Sequence, residues 1–324
     1  MTHAIRIHKN GGPEVFSWED IQVGDPGPGE VRIQQTAVGL NYIDVYFRTG
    51  LYPTAEFPAI LGQEAAGIVE AVGSGVTGLK EGDRVAYPMC PGAYAQARLI
   101  PADKLLKLPD TISDQTAAAM MLKGLTAHYL LYRTYLVKAG DPILVYAAAG
   151  GVGQILTQWA KQLGAVVIGC VGSADKGELA KAAGADHIIN YSEENIAERA
   201  RELTGGEGVA AAYDSIGKAT FEASLDALRP FGVLASYGNA TGPVDPFSPG
   251  ILAPKGSLYV TRPTLATHIS TRALLEEGAE RLFDVVSRGD VTIHVNQTYA
   301  LKEVAQAHQD LEARKTTGST VLLP

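Results

Sequence analysis

Sulfur is scarce in this chain: among 324 residues there are two cysteines, Cys90 and Cys170, too few for a disulfide framework. Metal ligands are thinly supplied as well. The seven histidines, His3, His8, His128, His187, His268, His294 and His308, show no paired ligand spacing, so each reads as solvated or packed. Basic residues are outnumbered, 27 Lys plus Arg against 35 Asp plus Glu, and a formal charge of -8 repels polyanions. Nucleic acid and anionic membranes are therefore poor partners, and no aromatic-basic run of the RNA-binding kind occurs. The opening MTHAIRIHKN has no apolar signal core, so cytoplasm is the expected compartment. The longest uncharged stretch, 142–160, is broken by Pro142, Gly150, Gly151, Gln154, Thr157 and Gln158, which excludes membrane insertion as its reading. There is no internal repeat and no low-complexity segment. The length suffices for two domains.

What is present is concentrated between Gly140 and Lys161, GDPILVYAAAGGVGQILTQWAK. Residues 143–146 read as a short buried strand. The period then changes, and Ile155, Leu156, Trp159 and Leu163 fall on one side of a helix closed by Gly164. Between strand and helix lies Ala148-Ala149-Gly150-Gly151-Val152-Gly153. A pyrophosphate needs backbone N–H groups at a helix N-terminus with no side chains in the way, and this turn supplies them. It departs from G-x-G-x-x-G at Ala148, where a methyl group can be accommodated. A tight strand-to-helix connection of any α/β protein would look similar, and the next strand favours the dinucleotide. Val166–Val171 ends in Gly172-Ser173-Ala174-Asp175-Lys176, where the ribose-reading group belongs. An NAD site wants an acidic residue at that strand end. Here stand Gly172 and Ser173, with Lys176 a turn on, so NADPH is the expected cofactor. Asp175 is discordant and is expected to face solvent from the first helical turn.

Residues 1–123 are punctuated by β-like runs at 4–8, 31–38, 67–72, 84–87 and 94–99, which read as a mostly β domain. From 124 onward, strands at 143–146, 166–171, 187–190, 209–214 and 233–237 alternate with helical patterns at 154–163, 176–183, 193–203 and 219–228. That alternation is the mark of a parallel, doubly wound sheet. A strand-like 257–261, helices near 271–288 and 302–314, and a final strand at 320–323 follow. The expected division is 1–123 as a catalytic β domain, 124–260 as a Rossmann domain inserted into it, and 261–324 as a return to the first.

At this point the chain resembles the medium-chain dehydrogenase/reductase superfamily, and within it the zinc-free NADPH:quinone oxidoreductase, or zeta-crystallin-like, branch. The resemblance spans essentially the whole length. It rests on G-D-x-x-L-x-x-x-A-A-G-G-x-G-x-x-x-x-Q-x-x-K from Gly140 to Lys161, with Asn41-Tyr42-Ile43-Asp44-Val45-Tyr46, Gly62-Gln63-Glu64-Ala65-Ala66-Gly67, Lys123-Gly124-Leu125-Thr126, Tyr213-Asp214-Ser215 and Gly256-Ser257-Leu258 in support. It implies a GroES-like first domain. It also implies a cofactor site of Asn41, Tyr46, Lys123, Thr126, Ala149, Gly150, Gly151, Val152, Gly153, Ser173, Lys176, Tyr191, Ser215, Tyr237, Gly238 and Asn239, with Arg314 near the adenine.

Zinc enzymes of the superfamily place three protein ligands around an open position. The matching positions here hold Asn41, Gln63 and Lys123, none of them a zinc ligand, so the expected metal content is none. Without a metal the acceptor must be readily reduced by hydride alone, as a quinone or an activated enone is. Asn41 and Tyr46 are the candidate catalytic residues, since an amide and a phenol can hydrogen-bond a carbonyl oxygen; Tyr52 is the third, or a turn anchor. Alternatives are an enal or enone (2-alkenal) reductase, and an NADPH-binding structural protein of the crystallin kind. A homodimer is expected, joined through the late strands 233–237 and 258–260. The four-proline loop 239–254 reads either as a wall of the acceptor site or as a dimer contact.

Overall fold

Alternating burial along short runs builds the first half of the computed structural model, which describes residues 2–324. Its strands are β1 (Thr2–Ile7), β2 (Phe16–Ile21), β3 (Glu30–Leu40), β4 (Ala59–Ile60), β5 (Glu64–Val72), β6 (Arg84–Tyr87), β7 (Ala97–Pro101) and β8 (Leu106–Lys107). Two helices interrupt them, α1 (Tyr42–Thr49) and α2 (Asp114–Tyr129). The next stretch supplies β9 (Pro142–Tyr146), α3 (Gly151–Gln162), β10 (Val166–Val171), α4 (Ala174–Ala182), β11 (His187–Asn190), α5 (Ile196–Leu203), β12 (Val209–Asp214), α6 (Phe221–Ala227), β13 (Leu228–Ser236), β14 (Tyr259–Thr261) and α7 (Leu265–His268). The chain closes with α8 (Arg272–Ser287), β15 (Val295–Ala300), α9 (Val304–Glu312) and β16 (Ser319–Leu323).

These elements form two units. The first comprises the residues up to Lys123 with Ile269–Ser287 and Ile293–Pro324; the second comprises Gly124–His268 with Arg288–Thr292. In the first unit a seven-stranded sheet runs β15-β16-β3-β5-β6-β8, with β7 also on β3, and β16 pairs antiparallel with β3 through Thr320–Leu40, Val321–Gly39 and Leu322–Val38. Its core gathers Ile5, Ile7, Val31, Ile33, Val38, Tyr87, Tyr94, Ile100 and, from the end of the chain, Leu301, Val304 and Leu322. In the second unit six strands run β11-β10-β9-β12-β13-β14, all parallel. The order reverses between β9 and β12, and the crevice beyond the carboxyl ends of those strands is where doubly wound sheets bind ligands.

Several expectations need correction. The first unit carries more strands than its sequence suggests, β2, β4 and β8 being unanticipated. Helix α2 escaped notice because it is apolar on nearly every side from Ala117 to Leu125 and so has no period. The strand expected at 94–99 begins only at Ala97, although Ala95 bridges Ala4. Helix α6 stops at Ala227, and β13 starts at Leu228 rather than 233, because Pro230 disfavours helical geometry at the residue before it. The helix expected at 302–314 begins as a tight turn over Leu301–Glu303 and ends at Glu312, with Arg314 left-handed at φ 58°.

Candidate active site

The second unit places its candidate residues at the carboxyl ends of consecutive strands. After β9 the chain turns through Ala147, left-handed at φ 48°, and enters α3 with Gly150 as N-cap. A Cβ on Gly153 would stand 2.2 Å from the Ala147 carbonyl oxygen, so only glycine lets the helix start this close to the turn. No acidic side chain occupies the first turn of α3, and Gly151, Val152 and Gly153 present the N–H groups that a helix start cannot pair internally. Ala148, the departure from the glycine pattern, is fully buried, and the space for its methyl comes from Gly169 on β10, where a Cβ would lie 3.0 Å from that of Ala148. Thus a glycine is displaced to the neighbouring strand rather than lost.

At the ends of β10 and β11, Gly172 and Tyr191 meet: a Cβ at Gly172 would fall 2.6 Å from the Tyr191 hydroxyl. The Ser192 hydroxyl donates to the Gly172 carbonyl at 3.0 Å and fixes the approach. Ser173 is the exposed N-cap of α4 and makes no side-chain capping bond, with Lys176 half-buried in the first turn beside it. Asp175 is exposed, as the sequence suggested. At the ends of β12 and β13 the two following loops press together, for a Cβ on Gly238 would lie 2.3 Å from the Ser215 carbonyl oxygen. Asp214 holds that turn by accepting from Ile216 N at 2.7 Å, Gly217 N at 3.1 Å and the hydroxyls of Thr220 and Ser224 at 2.7 and 3.1 Å. Burial raises its carboxyl above the usual range, against the hydrogen bonds. With its amide turned to satisfy both ends, Asn239 donates to the Gly238 carbonyl at 2.9 Å and accepts from Arg262 at 3.2 Å. Tyr237 is half-buried in this loop, Ala149 is buried beside the α3 turn, and Thr126 is buried in α2. The residues therefore fit a dinucleotide: a side-chain-free helix start, a small residue and a cation at the second strand end, and a close-packed pair of loops.

The first unit assembles the other candidates around α1. Asn41 is its N-cap, and the Asn41 N–H donates to the Asp44 carboxylate at 2.9 Å. The side chain turns away from the helix, Nδ2 donating to Glu64 Oε1 at 2.7 Å. The same oxygen accepts from Lys123 Nζ at 2.9 Å, and Glu64 Oε2 accepts from Leu122 N at 2.6 Å. Glu64 is fully buried, and such a carboxylate persists only with this many donors. Gly39 gives the group room, since a Cβ there would be 2.4 Å from Glu64 Oε1. Tyr46, buried on α1, stacks edge-on with Tyr52 at 5.2 Å and tilts against Tyr42 at 5.6 Å. Tyr52 is held by its N–H to the Tyr46 carbonyl at 3.1 Å. Arg314, exposed after α9, belongs to this unit.

Asn41, Gln63 and Lys123 do not fit a zinc ion. Two are amides and the third is an ammonium already paired with Glu64, so none offers the lone pair of an imidazole or thiolate. Glu64 and Asp44 were not singled out from the sequence; each sits in a quoted motif, but nothing in the pattern says which groups they hold.

A doubly wound dinucleotide unit and a β unit in one chain, the latter holding the buried Lys123–Glu64 ion pair, define the class as a nicotinamide-dependent dehydrogenase or reductase. Two family models match: "Alcohol dehydrogenase GroES-like domain" over residues 27–110 and "Zinc-binding dehydrogenase" over 151–284. The chain is 53% identical to a quinone oxidoreductase of Pseudomonas aeruginosa, over the full length of both. It is 49% identical to a 2-haloacrylate reductase of a Burkholderia species, covering 100% of this chain and 99% of that one. The crystal structure of Escherichia coli quinone oxidoreductase complexed with NADPH superposes with a TM-score of 0.98 at 48% identity, over 100% of each chain. The chain belongs to the quinone oxidoreductase branch of the medium-chain dehydrogenase/reductase superfamily.

Proposed function

We propose that this chain is an NADPH:quinone oxidoreductase that transfers hydride without a metal. The observation that carries the reading is the buried Asn41–Glu64–Lys123 cluster, in which Asn41 and Lys123 are two of the three residues that the resemblance matches to zinc ligands. When bound, NADPH supplies the hydride from nicotinamide C4. The protein's own residues bind, orient and stabilise. Gly151, Val152 and Gly153 would hold the pyrophosphate, and Ser173, Lys176 and Tyr191 the 2′-phosphate. Thr126, Ala149, Gly150, Ser215, Tyr237, Gly238 and Asn239 would complete the cradle, with Arg314 toward the adenine. Asn41 Nδ2 has a second hydrogen beyond the one given to Glu64, and the Tyr46 hydroxyl is a further donor; both would stabilise charge growing on the acceptor oxygen. Tyr52 would fix the Tyr46 ring.

The similarity to a 2-haloacrylate reductase supports a second reading, in which the acceptor is an activated alkene. We further propose a cytoplasmic homodimer, with the first unit as catalytic domain and the second as dinucleotide-binding domain, the division falling after His268 instead of at 260. Among the described residues no helix is long and apolar enough to cross a membrane. A steady-state assay decides between the activities. NADPH oxidation by simple quinones but not enals is the expected result; the reverse selects the alkene reductase, and tight NADPH binding without turnover selects a structural protein.

A further inference from the structure

The chain of buried groups behind α1 is directional. Arg48 is almost completely buried on α1, with Nη1 and Nη2 each 2.9 Å from the Glu312 carboxylate of α9 and Nε 3.1 Å from the Gly11 carbonyl oxygen. Its Nη1 also lies 3.0 Å from His308 Nδ1. A guanidinium only donates, so His308 Nδ1 must accept and the ring proton must reside on Nε2. Nε2 lies 3.0 Å from the Tyr94 hydroxyl and therefore donates to it. Tyr94 is left with its own proton to give, and it gives it to Asp44 Oδ2 at 2.9 Å. That same oxygen receives the Asn41 N–H. Every proton in the series points toward Asp44. Its far end is Arg48, which does not release a proton, so the series cannot conduct one from the surface. What it can do is orient. Burial and the Arg48 charge keep the imidazole neutral, holding its pKa down to about 3.

We propose that His308 is a positioning residue for the acceptor site: through Tyr94 and Asp44 it fixes the backbone of Asn41, while Glu64 fixes the side chain. The inference rests on the placement of Asn41 in that site. His308 does not touch the reacting atoms. It sets the direction of the hydrogen bonds that hold Asn41, and a small misplacement of a catalytic group costs turnover steeply.

The substitutions to compare are His308→Gln, His308→Leu and Tyr94→Phe, with Asn41→Ala as reference. Each is assayed for quinone kcat and KM at saturating NADPH, for NADPH Kd by fluorescence, and for melting temperature. Glutamine can accept from Arg48 and donate to Tyr94, so His308→Gln should keep kcat within about threefold. Leucine leaves Arg48 its two Glu312 bonds and Tyr94→Phe conserves shape; both should lower kcat about tenfold, the size of one neutral hydrogen bond, while NADPH Kd stays unchanged. A purely structural role would lower the melting temperature of all three and leave kcat per folded enzyme intact, which overturns the proposal. Should His308→Leu not fold, Tyr94→Phe alone decides: wild-type kcat in that variant refutes it. If Asn41→Ala itself turns over normally, the reading of the acceptor site fails and the proposal with it. If Asn41→Ala is impaired and Tyr94→Phe is not, only the proposal fails.

Discussion

Tyr46 and Asn41 separate two kinds of evidence at the scale of a single side chain. Asn41 is tied by backbone and amide to two carboxylates, Asp44 and Glu64, so its geometry is set before any ligand arrives. Tyr46 is packed between Tyr42 and Tyr52. If its hydroxyl acts on the acceptor oxygen, Tyr46→Phe should lower kcat about tenfold and leave NADPH affinity nearly unchanged, because a contact formed mainly in the transition state is lost from kcat. Unchanged turnover would make Tyr46 a packing residue. The Lys123–Glu64 pair leads to a second expectation, that quinone turnover survives exhaustive chelation; stoichiometric zinc copurifying near Asn41 would contradict it.

The buried groups behind Asn41 also set a pH signature. Burial first, then the nearby Glu64, pushes Asp44 up from 3.8 to about 7, against the lowering effects of the Asn41 and Tyr94 hydrogen bonds and of Lys123. Folding therefore favours protonated Asp44, and this stability is fully present below about pH 4 and lost as the pH rises to about 7. His308 runs oppositely, from 6.5 down to about 3, so its contribution is present above pH 6.5 and lost as the pH falls toward 3. Between roughly pH 4 and 6.5 the native pair holds the same number of protons as the unfolded pair, and the two slopes cancel. Removing the histidine exposes the carboxyl. The unfolding free energy of His308→Gln, less that of wild type, should rise as pH falls from 6.5, by up to about 1.4 kcal/mol per pH unit. Urea titrations across that range measure it, and a flat difference would mean that His308 is protonated in the folded state.

At the scale of elements, the proposed 2′-phosphate site lies at the ends of β10 and β11 and the first turn of α4. Charge-assisted contacts to a 2′-phosphate are worth roughly 1.5–3 kcal/mol each. Lys176→Ala should therefore cost NADPH one to two decades of kcat/KM and leave NADH almost unaffected, and Ser173→Asp should invert the preference by adding a repulsive charge and a ribose acceptor. Equal losses for both cofactors would mean that Asp175 reads the ribose. Much of this element was legible because strand, turn and helix are local: β10, β11 and β12 lie at the residues their apolar runs indicated. The turn from Gly150 to Gly153 was legible as the opening of α3 because small residues crowd there between strand and helix. The first unit was harder, since α2 is buried on nearly all sides and shows no period, and β7 and β8 are short. The Arg48–His308–Tyr94–Asp44 series could not be read at all. It joins residues as many as 260 positions apart, and no spacing along a sequence marks a hydrogen bond between α1 and α9.

For the whole molecule the open question is the β14 edge of the parallel sheet, whose other edge is β11. Among the described residues β14 pairs only with β13, and it presents Tyr259, 59% exposed, while the adjacent strand carries the exposed Phe231. An edge of this kind invites pairing with another chain, and the three residues of β14 itself include no lysine or proline, Pro263 coming only after the strand has ended. A two-fold axis through the edge would pair β14 with a second copy of itself in antiparallel register, satisfying the outward backbone groups of both copies in one step and leaving β11 as the outer edge of the joined sheet. The contact is then isologous, so one substitution acts twice. Tyr259→Lys would set two ammonium groups near the axis and remove two apolar rings, and should weaken the dimer at least tenfold while leaving the monomer folded. Sedimentation at micromolar protein provides the measurement: a dimer for wild type, and a concentration-dependent mixture for Tyr259→Lys. A wild-type monomer would refute the homodimer, and a variant as tightly dimeric as wild type would place the interface elsewhere on the chain.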